Sequence, residues 1–368
     1  MPGIAGAKLV GIEQMTHMPL MDDVVAPPIP TFKVPRDHYA PRVLNVDTRN
    51  ICEITSQLAQ GFLDNTDWSY WAVSTGDASW LHERMWWQLD HTDPWKREHH
   101  MLNELARQAD IIHLNSYHTW DFLSPSGPDL TGKKMVIHHH GCELRNDPRK
   151  HEAESWCGYT RIVSTPDLLL CGDDLQWLPS PLPMREIEQN YPVWESDLSV
   201  PPVLGHAYTV AGNKGTDHVR EYVKTVQSGG VPLQYKEWHG VQRRQSLWLL
   251  SQCDMFFSTM LYGPGLASYE AMAMGIPVLL GCTPDELAMQ KEAYGVTGTD
   301  DLPFVYVTPR TVHATIEQLA NEPDLRCEIG RRARETCQKF HSIESVVQRL
   351  KTIYEEAEPC RSILYHGA

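Results

Sequence analysis

Three stretches of the chain combine residue types that could do chemistry on an anionic ligand. The first is Tyr262-Gly263-Pro264-Gly265, followed by a short helical run from Leu266 and Ala267 through Glu270 to Ala273. Gly263 and Gly265 let the backbone approach a ligand without a Cβ in the way. The helix behind them offers unpaired N–H groups and the positive end of its dipole, which suits a phosphate. Glu270 lies about one turn into that helix and can point back across the loop mouth; an acceptor-only carboxylate beside a phosphate most naturally takes a pair of sugar hydroxyls. The plainer reading of the same spacing is an ordinary α/β crossover carrying an exposed glutamate. The second stretch is Lys214-Gly215-Thr216-Asp217, read as a helix start, where a lysine at a glycine-flanked entrance is well placed to meet a diphosphate. The third is His138-His139-His140. Strand alternation puts His138 and His140 on one face and His139 on the other, and two same-side histidines lack the further ligands zinc wants, so no metal site is expected.

The elements that must hold these residues follow from hydrophobic period and turn chemistry. Cys253–Ser258 reads as the strand that delivers the glycine loop; Gly275 supplies a left-handed helix end, Pro277 prevents continuation, and Val278-Leu279-Leu280 is a buried strand. Pro202–Ala207 is a strand leading through a loop at 208–213 to Lys214, and Val219, Val223 and Val226 share one face of the helix beyond. Leu233–Val241 is a strand reaching a turn at Gly240, Ser246 to Ser251 a helix, and Phe304–Val307 a later strand. In the first half, Val43–Val46, Trp68–Val73, Ala109–Asn115 and Met135–His140 read as strands, and Arg161–Leu169 as the last strand with its turn. Val43–Val46, the polar turn Asp47-Thr48-Arg49-Asn50 and a helix on Ile51, Ile54, Leu58 and Phe62 make a Rossmann-like opening. Residues 78–108 read as one or two helices bearing Trp80, Trp86, Trp87 and Trp95, taken as core and subdomain packing, with an acceptor-facing or membrane-touching surface as the alternative. Trp177–Pro183 is a stiff proline-rich hinge, and Ile343, Val346, Val347, Leu350, Ile353 and Tyr354 form a last helix with one apolar face. The expected divisions are a Pro-rich arm at 1–42, domains at 43–181 and 182–340, and a final helix within 341–368. The arm would lie on a domain or on a partner subunit, where it could build a homo-oligomer.

Composition fits this plan. A chain of 368 residues with 42% hydrophobic content can bury two ordinary cores. A net charge of −15 argues against general attraction to nucleic acid or an anionic membrane. Nine cysteines without a C-x-x-C pair fit neither a disulfide framework nor a zinc site and read as reduced thiols of a cytoplasmic protein. No apolar run approaches the length of a membrane span, and the start lacks a secretory pattern.

Glu270-Ala271-Met272-Ala273-Met274-Gly275-Ile276-Pro277-Val278 resembles the signature of the retaining GT-B glycosyltransferases, the glycosyl transferases group 1 family. The family pattern is Glu, seven residues, Glu; the second half is matched at every specified position, while Tyr262 occupies the place of the first Glu. The resemblance extends over most of the chain and is densest at 262–278. It implies an α/β GT-B architecture: two Rossmann-like domains facing a cleft, with the C-terminal helix crossing back to the first. It further implies that Glu270 holds the nucleotide ribose, that Lys214 with Gly215 contacts the donor diphosphate, and that the base lies near Gly240 and Val241. His140-Gly141 is similar to the family's His-Gly strand end, whose histidine lies beside the donor sugar. His206 falls near a family arginine, exchanging a fixed cation for a group that can be neutral at pH 7.

The reaction so implied is transfer of a sugar from a nucleoside-diphosphate donor, UDP or GDP type, to an acceptor hydroxyl with retention and without a metal or further cofactor. Saccharide or lipid-linked saccharide is the default acceptor, with a hydroxylated nucleic-acid base or a protein as alternatives. Tyr262 and His206 motivate a second reading, a GT-B-shaped protein that binds nucleotide or a partner without turnover; phosphorylase or epimerase chemistry is a third.

Overall fold

A computed structural model of the chain describes residues 40–47, 53–74, 98–115, 130–191 and 200–361, all within one compact unit, Lys33–Ala368. The arm before residue 40, Arg49 and Asn50, and Trp80, Trp86, Trp87 and Trp95 lie outside the described residues. In chain order the first half holds β1 (Arg42–Asp47), α1 (Ile54–Asn65), β2 (Ser69–Ser74), α2 (Glu98–Gln108), β3 (Ile111–Asn115), β4 (Lys134–His139), α3 (Cys142–Asn146), α4 (Glu152–Trp156), β5 (Thr160–Val163), β6 (Leu175–Trp177) and α5 (Met184–Asn190). The second holds β7 (Val203–Ala207), α6 (Ala211–Lys214), α7 (Thr216–Ser228), β8 (Gln234–Trp238), α8 (Arg243–Leu250), β9 (Met255–Thr259), α9 (Leu266–Ala273), β10 (Val278–Leu280), α10 (Pro284–Tyr294), β11 (Val305–Tyr306), α11 (Val312–Asn321), α12 (Pro323–Phe340) and α13 (Ile343–Glu356).

The strands form two parallel sheets, ordered β2-β1-β3-β4-β5-β6 and β11-β10-β9-β7-β8. Parallel strands covered on both faces need near-continuous apolar runs, and β1, β3, β4 and β9 are buried along almost their whole length. Strand order reverses between β1 and β3 in one sheet and between β7 and β9 in the other. The carboxyl ends of strands at such a switch point open a crevice for ligands. Both stretches that carry the phosphate chemistry, Lys214 after β7 and Gly263–Gly265 after β9, flank the second switch point.

The C-terminal helix crosses back. Val346, Val347, Leu350, Ile353 and Tyr354 of α13 share one apolar core with Val43, Leu58, Phe62, Tyr70 and Ile111 of the first sheet and α1. Gly61 makes this approach: a Cβ there would stand 2.4 Å from Ile343 Cγ2 and 2.7 Å from Val347 Cγ2. The outgoing and returning chains run side by side, where Leu182 N–H donates to His341 O (2.7 Å) and His341 Nδ1–H to Ser180 O (3.0 Å).

Two expectations change, and one element is new. β5 is not the last strand of the first sheet: Leu175–Trp177 pairs with Arg161–Val163 as β6, and Trp177, read as hinge, is buried in it. Only Gln176 of the three is exposed, a pattern too short to register against the prolines that follow. Lys214 does not start a helix; it ends the single turn α6, Gly215 adopts φ 65 as its cap, and α7 begins at Thr216. The long helix α12, which packs on α9 and brings Gly330 against Gly275, was not read from the sequence.

Candidate active site

Gly265 caps α9 in an extended conformation, φ −87 and ψ 176, and intrahelical bonding begins with Ser268 N–H to Gly265 O at 2.9 Å. The amides of Leu266 and Ala267 therefore belong to the first turn, which a helix leaves without intrahelical acceptors. Ser268 Oγ–H bonds Ser258 Oγ at 2.7 Å and pins the helix to β9. Lys214 arrives from the neighbouring loop, its Nζ 3.0 Å from where a Cβ on Gly265 would stand. An ammonium at a helix N-terminus is the reverse of what the macrodipole favours. Two positive elements converging on one point are a binding arrangement for an anion with more than one charge. Gly215 keeps the lysine loop against Leu261 of the glycine loop.

Glu270 is buried, 3% exposed, and its Oε1 accepts from Arg243 Nε at 2.7 Å. Arg243 Nη1 also donates to Glu53 Oε2 at 2.7 Å, so one guanidinium joins the helix that carries the glycine loop to the head of α1. Burial pushes the Glu270 pKa up and Arg243 opposes it. The remainder of the loop closes on the first sheet's side. Gly263 packs so tightly that a Cβ would lie 2.3 Å from Asp167 Oδ1, so at this position glycine serves packing between the two halves. Asp167 accepts from Arg145 Nε at 2.7 Å, and Arg145 lies over the Tyr262 ring, 5.0 Å from its centroid. Gly141, at φ 146, makes room for that arginine: a Cβ would meet its Nη1 at 2.7 Å.

His206 stands behind the site rather than in it. Its ring is fully buried, Nδ1–H donates to Phe257 O (2.8 Å), and Nε2 accepts from Thr216 Oγ1–H (3.0 Å). Burial first, then the Lys214 charge, holds its pKa below the usual value, so it adds no cation. Gly240, φ 64, and Val241 lie at the open end of β8, where nothing comes within 4 Å of a Cβ placed on Gly240. Beside them the rings of Tyr208 and His239 stack at 5.0 Å.

His140 lies at the carboxyl end of β4 in a hydrogen-bonded file. His138 Nε2–H donates to Ser164 Oγ (3.0 Å), Ser164 Oγ–H to His140 Nδ1 (2.6 Å), and His140 Nε2–H to Asn115 Oδ1 (3.0 Å). Asn115 continues to Asn45, Asn45 to the Tyr70 hydroxyl (2.7 Å), and Tyr70 to Tyr354 (3.3 Å), whose hydroxyl meets His113 Nδ1. In this direction His140 accepts at Nδ1 and His113 at Nδ1, which requires both to be neutral. Burial has that effect, lowering His140 and His113 to about 3 and His138 well below its ordinary value. With both ring nitrogens bonded and burial holding its pKa at about 3, His140 is neutral and supplies no proton at pH 7.

His139 points to the other face, where it meets His151 and Glu154, the one group with metal-ligand spacing among the described residues. His139 Nε2–H and His151 Nδ1–H donate to Glu154 at 2.9 and 2.8 Å, and Arg161 Nε lies 3.3 Å from the same carboxylate oxygen that His139 uses. The guanidinium already balances the carboxylate, and a dication beside it would be repelled.

Sequence reading missed Arg243, Glu53, Asp167 and Ser164. Arg243 stands 190 residues from Glu53 and 27 from Glu270, so no local spacing announces it. No family model matches the chain, and no curated protein sequence matches it. Among solved structures it is similar to trehalose-6-phosphate synthase OtsA (TM-score 0.58, 10% identity, 86% of this chain and 100% of that one). It is also similar to the catalytic domain of Arabidopsis thaliana starch synthase IV bound to ADP and acarbose (TM-score 0.50, 10% identity, 86% and 99%). A third is Staphylococcus aureus TarM in complex with UDP (TM-score 0.50, 13% identity, 70% of this chain and 58% of that one). No helix among the described residues is long and apolar enough to cross a membrane. Two parallel Rossmann-like sheets, a returning C-terminal helix and these likenesses agree: the chain has the GT-B fold.

Proposed function

We propose that the chain is a glycosyltransferase that moves a sugar from a nucleoside-diphosphate donor to an acceptor hydroxyl with retention. The observation that carries this reading is the meeting of Lys214 with the N-terminus of α9 at the second switch point. The diphosphate would sit between them, and its developing charge on departure is what a fixed ammonium and helix dipole stabilise. Glu270 would take the ribose diol, and the base would lie by Gly240 and Val241, beside the Tyr208–His239 stack. OtsA, starch synthase IV and TarM support the reading as proteins of the same fold, two of them solved with ADP or UDP.

His140 would wall the sugar and orient it. Being neutral and doubly bonded it is no general base, which suits a mechanism in which the departing phosphate takes the acceptor's proton as the new bond forms on the same face. Lys214 and the helix neutralise the leaving group, so the reaction needs no metal ion. The default acceptor is a saccharide or lipid-linked saccharide, with a hydroxylated nucleic-acid base or a protein as alternatives, and the proposed compartment is the cytoplasm.

The test is thermal stabilisation by UDP, GDP, ADP and CMP, where a ligand at about a hundred times its Kd adds roughly 2.7 kcal/mol. One nucleotide stabilising the parent but neither Lys214→Ala nor Glu270→Ala supports the site. No stabilisation, or variants that respond like the parent, refutes it. An inverted anomer in the product would refute retention alone.

A further inference from the structure

Arg243 and Glu53 have no part in the chemistry above, yet through Arg243 they link Glu270 of the second half to the head of α1 in the first. The two bonds of this bridge leave from different nitrogens of one guanidinium, both at 2.7 Å, and the side chains are only 3%, 12% and 15% exposed. The far end of the bridge is strained. Glu53 has φ 59, the one non-glycine residue among the described residues with positive φ. A β-unbranched carboxylate residue is held in that region only when its surroundings over-determine it, and such strain gathers at working sites.

We propose that Arg243 is a positioning residue for nucleotide recognition, which holds Glu270 as an oriented carboxylate and, through Glu53, ties ribose binding to the docking of α1. The inference rests on the reading of Glu270 as the ribose acceptor. Arg243 engages Oε1 along one direction, and a carboxylate accepts about four hydrogen bonds, so a ribose diol can share the group with the arginine. Removing the guanidinium would take from the buried Glu270 carboxylate the cation hydrogen-bonded to it among the described residues. A buried, unpaired carboxylate gains its proton at higher pH. A protonated Glu270 turns one of its oxygens from acceptor to donor, and a diol that needs two acceptors is held less well.

Among the described residues the charged and titratable groups facing Glu270 are few. Arg243 comes from α8 and Glu53 from the head of α1; Tyr191, just past α5, feels Glu270 and Arg243; and Arg334 of α12 donates to Ala273 O at the far end of α9. Among the described residues Arg243 is thus the cation hydrogen-bonded to the carboxylate, while the Glu53 charge favours its neutral form.

The experiment is calorimetric titration with UDP, ADP and GDP, each compared with its 2′-deoxy counterpart, on parent, Arg243→Gln, Arg243→Lys and Glu53→Gln. In the parent the affinity should be level between about pH 6 and pH 8, and the ribonucleotide should be preferred about tenfold. In Arg243→Gln the ribonucleotide should bind about tenfold more weakly at the lower pH, with the 2′ preference gone there, and Arg243→Lys should restore the level profile. Glu53→Gln should keep the affinity, but the nucleotide should no longer slow amide exchange in α1, as it does in the parent. Arg243→Gln showing the parent's pH profile and 2′ preference would overturn the proposal while leaving the nucleotide site standing, as would unchanged α1 protection in Glu53→Gln. A parent that binds none of the nucleotides would overturn both readings.

Discussion

Gly265→Ala separates the work of the glycine loop from its stability. The residue sits at φ −87 and ψ 176, open to any L-amino acid, so alanine brings no backbone strain. Its methyl would stand 3.0 Å from Lys214 Nζ, the far end of a flexible side chain that can swing aside. Glycine-to-alanine changes at compatible sites stabilise by about 0.4–1 kcal/mol through the unfolded chain, here set against a loss of about 1 kcal/mol for alanine as a poorer helix cap. The melting behaviour should therefore stay close to the parent's. The displaced ammonium is another matter: a hydrogen bond to a charged group is worth about 1.5–3 kcal/mol, or roughly tenfold to a hundredfold in the affinity for a diphosphate. Calorimetric titration with UDP and UMP, beside a urea melt, reads both quantities. UDP should lose that factor and UMP, lacking the second phosphate, much less. Unchanged UDP affinity would refute the assignment of Lys214, and a stability loss beyond about 2 kcal/mol would refute the claim that the lysine simply yields.

Gly330→Ala is the contrasting case: its Cβ would lie 1.8 Å from Gly275 O, backbone that cannot step aside, and urea unfolding should show a loss of about 3 kcal/mol or failure to fold. Ser164→Ala removes the hydroxyl shared by His138 and His140, and should cost about 1–3 kcal/mol in the same assay while weakening sugar-donor binding more than binding of the bare nucleotide. Acid should destabilise the fold through His341, fully buried and held at about 4 by that burial. The unfolded chain takes up this proton near pH 6.5 and the folded chain only near 4. Stability should be full above that window and fall by about 1.4 kcal/mol per pH unit across it, less in His341→Gln, as read from urea midpoints.

What could be read in the chain was what local chemistry writes. The helix α9 announces itself by Gly265 before it, Gly275 at φ 79 after it and Pro277 beyond, and α13 by apolar residues on one face. Lys214 and Gly265 were each visible as phosphate-handling types, and the fold brings them together. β6 was hidden because three residues with one exposed position carry almost no period, and α12 because its Arg-rich surface offered no obvious apolar stripe. A capping box at Thr283 and Glu286, with Pro284 between, marks α10 plainly and went unread. The partners of the site residues were beyond reach for a different reason. Arg243 with Glu53, Arg145 with Asp167 and Asn115 with His140 are separated by 190, 22 and 25 residues, and only the packing of finished elements decides such pairs.

The returning helix also sets the order in which the molecule can be made. Tyr354 stacks on Trp68, lies near Phe62 and bonds the Tyr70 hydroxyl, so one face of the first sheet is completed by residues synthesised nearly three hundred positions later. On the ribosome, Val43, Leu58, Phe62 and Ile111 emerge long before Val347, Leu350 and Ile353 exist to cover them. Among the described residues α13 is the helix that completes this face beside α1, and it is made only after the second sheet. A chain ending before α13 would carry every strand of both sheets yet lack Val347, Leu350, Ile353 and Tyr354, so the last helix to be made is the one that closes the core of the first strands.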